Sequence, residues 1–294
     1  MKHTKYSLIP ILIGALLSGA SFSCSDKEPL PSDPILGLGG DDWVWSELDE
    51  YLYQHFTLPL NIEVKYKWDP YEVNFNRNLV PPDESQVIPV METVKSVWIE
   101  PYNTVAGEHF LREYQLLKYV LVGSAEYQNN GTIILGTAEG GNQITLFVVN
   151  SFTTEDSNEV IRMMHTIHHE FAHLLHQKID YPQEWRGLST EWYTATWFNT
   201  TDAQANAQGL ITAYAKAAER EDFVETIAYL LVEGQDAFDA VVAANPSVAQ
   251  IFRAKETLVV DYFSKLGVDF RALQKAVKAG IDKITSADET HMYH

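Results

Sequence analysis

Cysteine is almost missing from this 294-residue chain, with Cys24 standing alone. That excludes an intramolecular disulfide framework and any Cys-based zinc ribbon or finger. A metal, if one is held, is left to His, Asp and Glu. Positive charge is scarce as well: 21 Lys and Arg face 40 Asp and Glu, for a formal net charge of −19. So acidic a chain repels the phosphate backbone it would have to neutralise, which argues against nucleic acid as a partner. No apolar run is long either. The longest, Ser7 to Ala20, falls short of the roughly 20 residues that a transmembrane helix needs. What is present is an ordinary globular mixture, 46% hydrophobic and 21% charged, too apolar for a disordered chain.

The amino terminus reads as an export address. Lys2 and Lys5 precede the apolar run, and Ser21, Phe22 and Ser23 lead to Cys24, the order of a secretory signal. Cys24 falls where a bacterial lipoprotein carries its lipid, so residues 1–23 are expected to be a lipoprotein signal peptide and Cys24 the lipidation site. Ser25-Asp26-Lys27-Glu28 is similar to the acidic signals that send some Gram-negative lipoproteins to the cell surface. Residues 24–40, with Pro29, Pro31, Pro34 and the Gly37–Gly40 cluster, read as a flexible tether. The expected location is the outer membrane, at the cell surface or, alternatively, facing the periplasm, with the lipid as the sole membrane attachment.

Residues 41–294 read as one catalytic unit. Helical spacing covers 43–56, and Asn61–Trp68 alternates as a strand with Ile62, Val64, Tyr66 and Trp68 on one face. Asp83 begins a helix reaching Trp98 with Pro89 near its start, and another helix is expected over 105–117. Three β-rich runs follow at 119–122, 132–136 and 143–150, with Gly140-Gly141-Asn142 as the turn between the last two. From Thr153 or Thr154 starts the longest helical pattern, whose buried stripe is Val160, Ile161, Met164, Ile167, Phe171, Leu174 and Leu175. Further helices are expected near 208–218, 221–233, 247–265 and 269–281, broken by Gly234, Asn245-Pro246 and Gly267. Mixed elements first and helices last predict an α+β fold.

The longest helix carries His169-Glu170-Phe171-Ala172-His173, an H-E-x-x-H motif. Residues four apart on a helix lie about 40° apart around its axis, so the two imidazoles converge on one ion and Glu170 can reach water beside it. Zinc is the default for nitrogen and carboxylate donors, and one ion is expected. His165, one turn earlier on the same face, either assists the site or is an ordinary hydrogen-bonded histidine; His168 and His176 read as structural. A catalytic zinc needs a third protein ligand. The pattern that would place a histidine at 179 fails, because Ile179 stands there. Glu221 and Glu225 share one helical face, and one can bind the ion while the other orients a ligand histidine; Glu184, Glu191 and Glu233 are fallbacks. Tyr214 lies seven residues before Glu221, about 10 Å along the axis if the helix is unbroken, where a phenol can serve an oxyanion.

HHEFAHLLHQ, followed by GLITAYAKAAEREDFVET and preceded by LPLNIEVKYKW, resembles the zinc-binding metallopeptidase lipoproteins of Gram-negative bacteria, the substrate import-associated zinc metallohydrolase group. The Tyr-x6-Glu-x-Phe-x-Glu layout is also similar to the anthrax lethal-factor type of catalytic domain. The resemblance implies a zincin-like metallopeptidase of the gluzincin kind, with a mixed sheet lobe followed by a helical lobe. It implies His169, His173 and Glu221 as ligands, Glu170 as base, Tyr214 as oxyanion donor and Glu225 behind a ligand histidine. It also implies a place beside a TonB-dependent nutrient importer of the outer membrane. The reaction expected is amide hydrolysis by zinc-activated water on a peptide or protein laid against an edge strand, either 132–136 or 143–150. Two rivals stand beside it. One is a zinc amidase acting on imported glycan or cell-wall material. The other is a non-catalytic accessory lipoprotein whose Trp43, Trp45, Trp68, Trp185, Trp192 and Trp197 stack sugars.

Overall fold

The computed structural model describes residues 44–287 except 75 and 115; the signal peptide, Cys24, the whole tether and Trp43 lie outside the described residues. Ser46 and Asp49 cap each other reciprocally at the start of helix α1 (Glu47–Leu52), satisfying amides that the first turn leaves unpaired. The helix continues through a π turn over Tyr53–Thr57 and a last turn, Leu58–Leu60, until Asn61 takes a left-handed conformation. That reversal starts strand β1 (Glu63–Lys65), which is shorter than the expected 61–68. Ile62, Val64 and Tyr66 are buried as the alternation requires, but Trp68 is exposed.

Helix α2 (Glu84–Val94) starts after Asp83, whose side chain makes no capping bond, and holds Pro89 inside it. It passes through a π turn (Lys95–Ile99) into α3 (Glu100–Ala106), and Gly107 at φ +91° ends the run. The helix expected over 105–117 is therefore two pieces, the second being α4 (Phe110–Glu113). Strands β2 (Lys118–Leu121), β3 (Glu126–Tyr127), β4 (Ile133–Ile134), β5 (Gly136–Glu139) and β6 (Gln143–Leu146) follow. The main sheet has the order β1-β2-β6-β5, parallel except for the antiparallel β5–β6 pair, with Val64 beside Tyr119, Tyr119 beside Ile144 and Ile144 beside Ala138. Gly140 and Gly141 at φ +60° and +73° turn the β5–β6 hairpin, a conformation that costs glycine little. The run 132–136 divides: Ile133–Ile134 pairs with β3, and Gly136 begins β5.

Helix α5 (Ser157–Lys178) is 22 residues long and capped by the Asp156 side chain on the Asn158 amide. Its stripe is buried as expected, save that Ile161 is half-buried. Phe171 packs edge-on to Trp98 and Tyr102, centroids 5.0 and 5.2 Å away. Beyond it come α6 (Asp202–Asn206), α7 (Glu219–Val232), α8 (Gly234–Ala244), α9 (Ala249–Lys265) and α10 (Phe270–Ala287). The helix expected over 208–218 does not form. Gly209 at φ +80° opens an irregular segment whose only helical part is one 3-10 turn, Tyr214–Lys216. Asp202 and Asn206 strap this segment by accepting from Ala213 N and donating to the carbonyls of Leu210 and Ile211. Helix α8 had no counterpart in the expectations; it follows directly once Gly234 has turned the chain. The whole is an α+β zincin-like architecture, with α5 packed between the sheet and α7.

Candidate active site

Helices α5 and α7 bring a histidine ladder and a glutamate ladder face to face. His165, His169 and His173 rise at four-residue steps on α5, and Glu221 and Glu225 answer from α7. His173 Nε2 stands 3.0 Å, and His169 Nε2 3.3 Å, from the same Oε2 of Glu221. His169 Nδ1 stands 2.6 Å from Glu225 Oε1. The two glutamates thus take different roles on geometry: Glu221 meets the ring nitrogens that converge, Glu225 the one behind. Thr212 Oγ1 donates to the other Glu225 oxygen at 2.5 Å and accepts from Ala215 N at 3.1 Å. One carboxylate therefore holds both a histidine ring and the turn that carries Tyr214.

The residues fit a zinc ion. A tetrahedral ion with bonds of about 2.0–2.1 Å spaces its donors by about 3.3 Å, close to the two separations at Glu221 Oε2. The donor set of two imidazoles and a carboxylate is one that zinc accepts. His169, Glu170 and His173 also lie close enough together to surround an ion.

Electrostatics follow from burial. Burial raises Glu170, against the pull of His169 and His173, so its carboxylate is more basic than an exposed one. Burial works to raise Glu221 too, but hydrogen bonds from His169 and His173 outweigh it and hold that carboxyl below the ordinary range. Burial would lower His169, yet Glu221 and Glu225 push it up to about 10. Tyr214 is raised by burial and by the charges of Glu221, Glu170 and Glu225, so the phenol keeps its proton.

Tyr214 does not sit on the helix of Glu221. Ala218 is fully extended, at φ −165° and ψ 163°, so the two-turn arithmetic fails and a bend brings the ring to His169 instead, centroids 5.7 Å apart. Trp197 packs edge-on to Tyr214 at 4.8 Å. Together with Ile133, Ile134, Gly136, Thr166 and Glu170 they line a cavity of about 310 Å³.

Strand β5 forms the other wall, and Gly136 sets how closely it approaches. A Cβ there would fall 2.5 Å from Thr166 Cγ2 and 3.3 Å from Glu170 Cγ. The edge of the sheet at the site is therefore β5, overlapping 132–136 only at Gly136. The alternative, 143–150, is corrected: β6 is paired on both sides, by β2 and β5.

His176, read as structural, reaches the site: its Nε2 lies 2.9 Å from His173 Nδ1. Burial and the neighbouring His173 push it down to about 4, so it is neutral and accepts the His173 N–H. His168 is a core residue against Tyr102, which burial pushes down to about 3. Glu184 and Glu191 are exposed, and Glu233 meets His165 instead of the ion site. Sequence reasoning missed Thr212 and the His176 contact. The first carries no motif, whereas His176 was visible as three residues beyond His173, a helical neighbour. Of the tryptophans offered as a sugar platform, Trp185 is fully buried against Phe223.

An α+β zincin-like body with H-E-x-x-H facing a glutamate from a later helix defines the class: a zinc metallopeptidase fold. A family profile described as "Putative zinc-binding metallo-peptidase" matches residues 41–271, and the chain belongs to that family. A crystal structure of a protein of the same description from Bacteroides caccae ATCC 43185 is 32% identical, covers 84% of this chain and 95% of its own, and superposes with a TM-score of 0.69. No curated protein matches the chain.

Proposed function

We propose that the protein is a zinc-dependent peptidase that hydrolyses an amide of an extended peptide laid along β5. The observation that carries this reading is the convergence of His169 and His173 on one oxygen of Glu221, with buried Glu170 and the open edge of β5 beside them. His169, His173 and Glu221 would hold a zinc ion, which would supply a Lewis acid and make bound water more acidic. Glu170 takes the proton of the attacking water and passes it to the leaving nitrogen. Tyr214 donates its O–H to the carbonyl oxygen as that atom gains charge. Glu225 holds the His169 ring through Nδ1, and His176 holds His173, which keeps both Nε2 atoms turned toward Glu221, where they would meet an ion. The outer edge of β5, the last strand of the sheet, aligns the peptide by strand addition.

The test is digestion of a peptide library by the purified protein, after chelation and again with zinc restored. Cleavage that chelation abolishes and zinc restores supports the reading. Glu170→Gln should retain zinc and lose at least about 100-fold in turnover; a variant that cleaves normally sinks the mechanism. Bound zinc without peptide cleavage transfers the site to the amidase rival.

The same proposal places the enzyme on a lipid at Cys24, at the outer-membrane surface, beside a TonB-dependent importer. Support comes from the basic start, the apolar run, the acidic stretch after Cys24 and the family resemblance. Metabolic labelling with palmitate should mark the chain, and Cys24→Ser should remove the label.

A further inference from the structure

His165 is the third rung of the histidine ladder, and neither ligation nor the proton transfers above use it. Its Nε2 lies 3.2 Å from Glu225 Oε1, and its Nδ1 lies 3.1 and 3.3 Å from the two oxygens of Glu233. We infer that His165 and Glu233 are positioning residues for the zinc site, acting on His169 through Glu225. The inference rests on the reading of His169 as a zinc ligand.

Ionised carboxylates only accept hydrogen bonds, so both contacts require an N–H from the His165 ring. The ring then carries two protons and a positive charge between two carboxylates. Glu225 accepts in turn from His165, from Thr212 and, at the shortest of the imidazole contacts, from His169 Nδ1. A carboxylate fixed at both oxygens has one orientation left, and that orientation holds the proton of His169 on Nδ1, leaving Nε2 free for a metal. The four groups form one line: Glu233, His165, Glu225, His169. Its outer end reaches the partly exposed Glu233 side chain, 25% accessible, while Glu225 is buried.

His165, His169 and Glu225 also lie close enough to suggest a second ion. The spacing argues otherwise. Donors around one zinc stand about 3.3 Å apart, whereas His169 Nδ1 and Glu225 Oε1 are 2.6 Å apart, a charge-assisted hydrogen-bond length. With Nε2 of His169 turned to Glu221, its ring has no nitrogen left for another ion.

The experiment is a double-mutant cycle read as zinc dissociation constants, by competition with a chromophoric chelator, on the full chain. His165→Phe should weaken zinc binding about 10- to 100-fold, the usual effect of removing a group that orients a ligand. Glu233→Gln should act in the same direction and more weakly. In a Glu225→Gln background, His165→Phe should change affinity by no more than about twofold, because its route to His169 is already cut. Asp49→Asn, distant in the fold, serves as the destabilised control whose zinc affinity stays at the wild-type value. The inference is overturned if His165→Phe and Glu233→Gln both leave affinity within twofold, or if the His165→Phe loss persists undiminished without Glu225. Two zinc ions per chain, one lost with His165→Phe, overturn it in favour of a second ion site. A wild-type chain that binds no zinc overturns the metal site itself, and the inference with it. Should His165→Phe fail to fold, the cycle between Glu233→Gln and Glu225→Gln carries the same test.

Discussion

Side chains at the site divide by how far a single residue type discloses its work. His169, Glu170 and His173 announce themselves, since their spacing on a helix has one common chemical use and their buried surroundings agree with it. From spacing alone Glu221 and Glu225 were legible only as a pair, and it was the family resemblance that implied Glu221 as ligand and Glu225 behind a ligand histidine. The structure adds which ring nitrogens each one meets, Nε2 atoms for Glu221 and Nδ1 for Glu225. Tyr214 was legible as a candidate for a reason that the backbone then contradicts, because the bend at Ala218, not helical periodicity, delivers it. With its hydroxyl kept protonated by burial and three nearby carboxylates, Tyr214→Phe should lower kcat about 100-fold with little change in KM, as for loss of one oxyanion donor. Steady-state kinetics on any cleaved library peptide checks this. A KM effect alone would make the residue a binding group.

Elements were read well where one periodicity ran long and poorly where short-range tethers overrode propensity. Helix α5 is the first case. The segment 208–218 is the second: its alanines favour a helix, but Asp202, Asn206 and Thr212 take its amides and carbonyls instead. The edge strand is a third, because a hairpin turn at Gly140-Gly141 sets the register from Gly136, whatever the β-propensity of Ile133 and Ile134. β5 can lie against α5 only without a side chain at Gly136. Gly136→Val should therefore displace the strand, cost about 1–3 kcal/mol as overpacking does, and raise KM for peptides more than it lowers zinc affinity. Denaturant melts and zinc titration separate the two effects.

Helix α1 offers a pH test away from the candidate zinc site. Partial burial works to raise Asp49, but Lys67, Ser46 and Tyr66 outweigh it and bring it down to about 2. A carboxylate depressed in the folded state contributes stability above its unfolded pKa of about 3.9 and loses it as pH falls toward 2. After discounting for solvent screening the contribution is about 1 kcal/mol. Asp49→Asn should be less stable by that amount at pH 7 and equal to the wild type near pH 2. A difference that persists in acid would assign the effect to lost capping geometry instead of charge.

At the scale of the whole molecule, the site sits on a seam. The sheet with α5 comes from the first part of the chain, and α7 opens the run of helices that completes it, so the proposed ligands His173 and Glu221 lie 48 residues apart. Behind α7, on the side away from α5, buried Lys255 on α9 bonds Asp222, next to Glu221, and the carbonyl of Gly209. An ion held across the seam as proposed would bind the folded chain and find no assembled site in the unfolded one. Its stabilisation then follows from mass action, about 4 kcal/mol when free zinc is 1,000 times the dissociation constant. For a body of this size that is a rise of about 10 °C in Tm, lost on chelation. Calorimetry of the wild type and of Glu221→Ala distinguishes the outcomes. The wild type should gain the full increment with zinc and the variant little of it, whereas equal gains in both would mean that the ion binds elsewhere and that the acidic ladder of α7 only braces the fold.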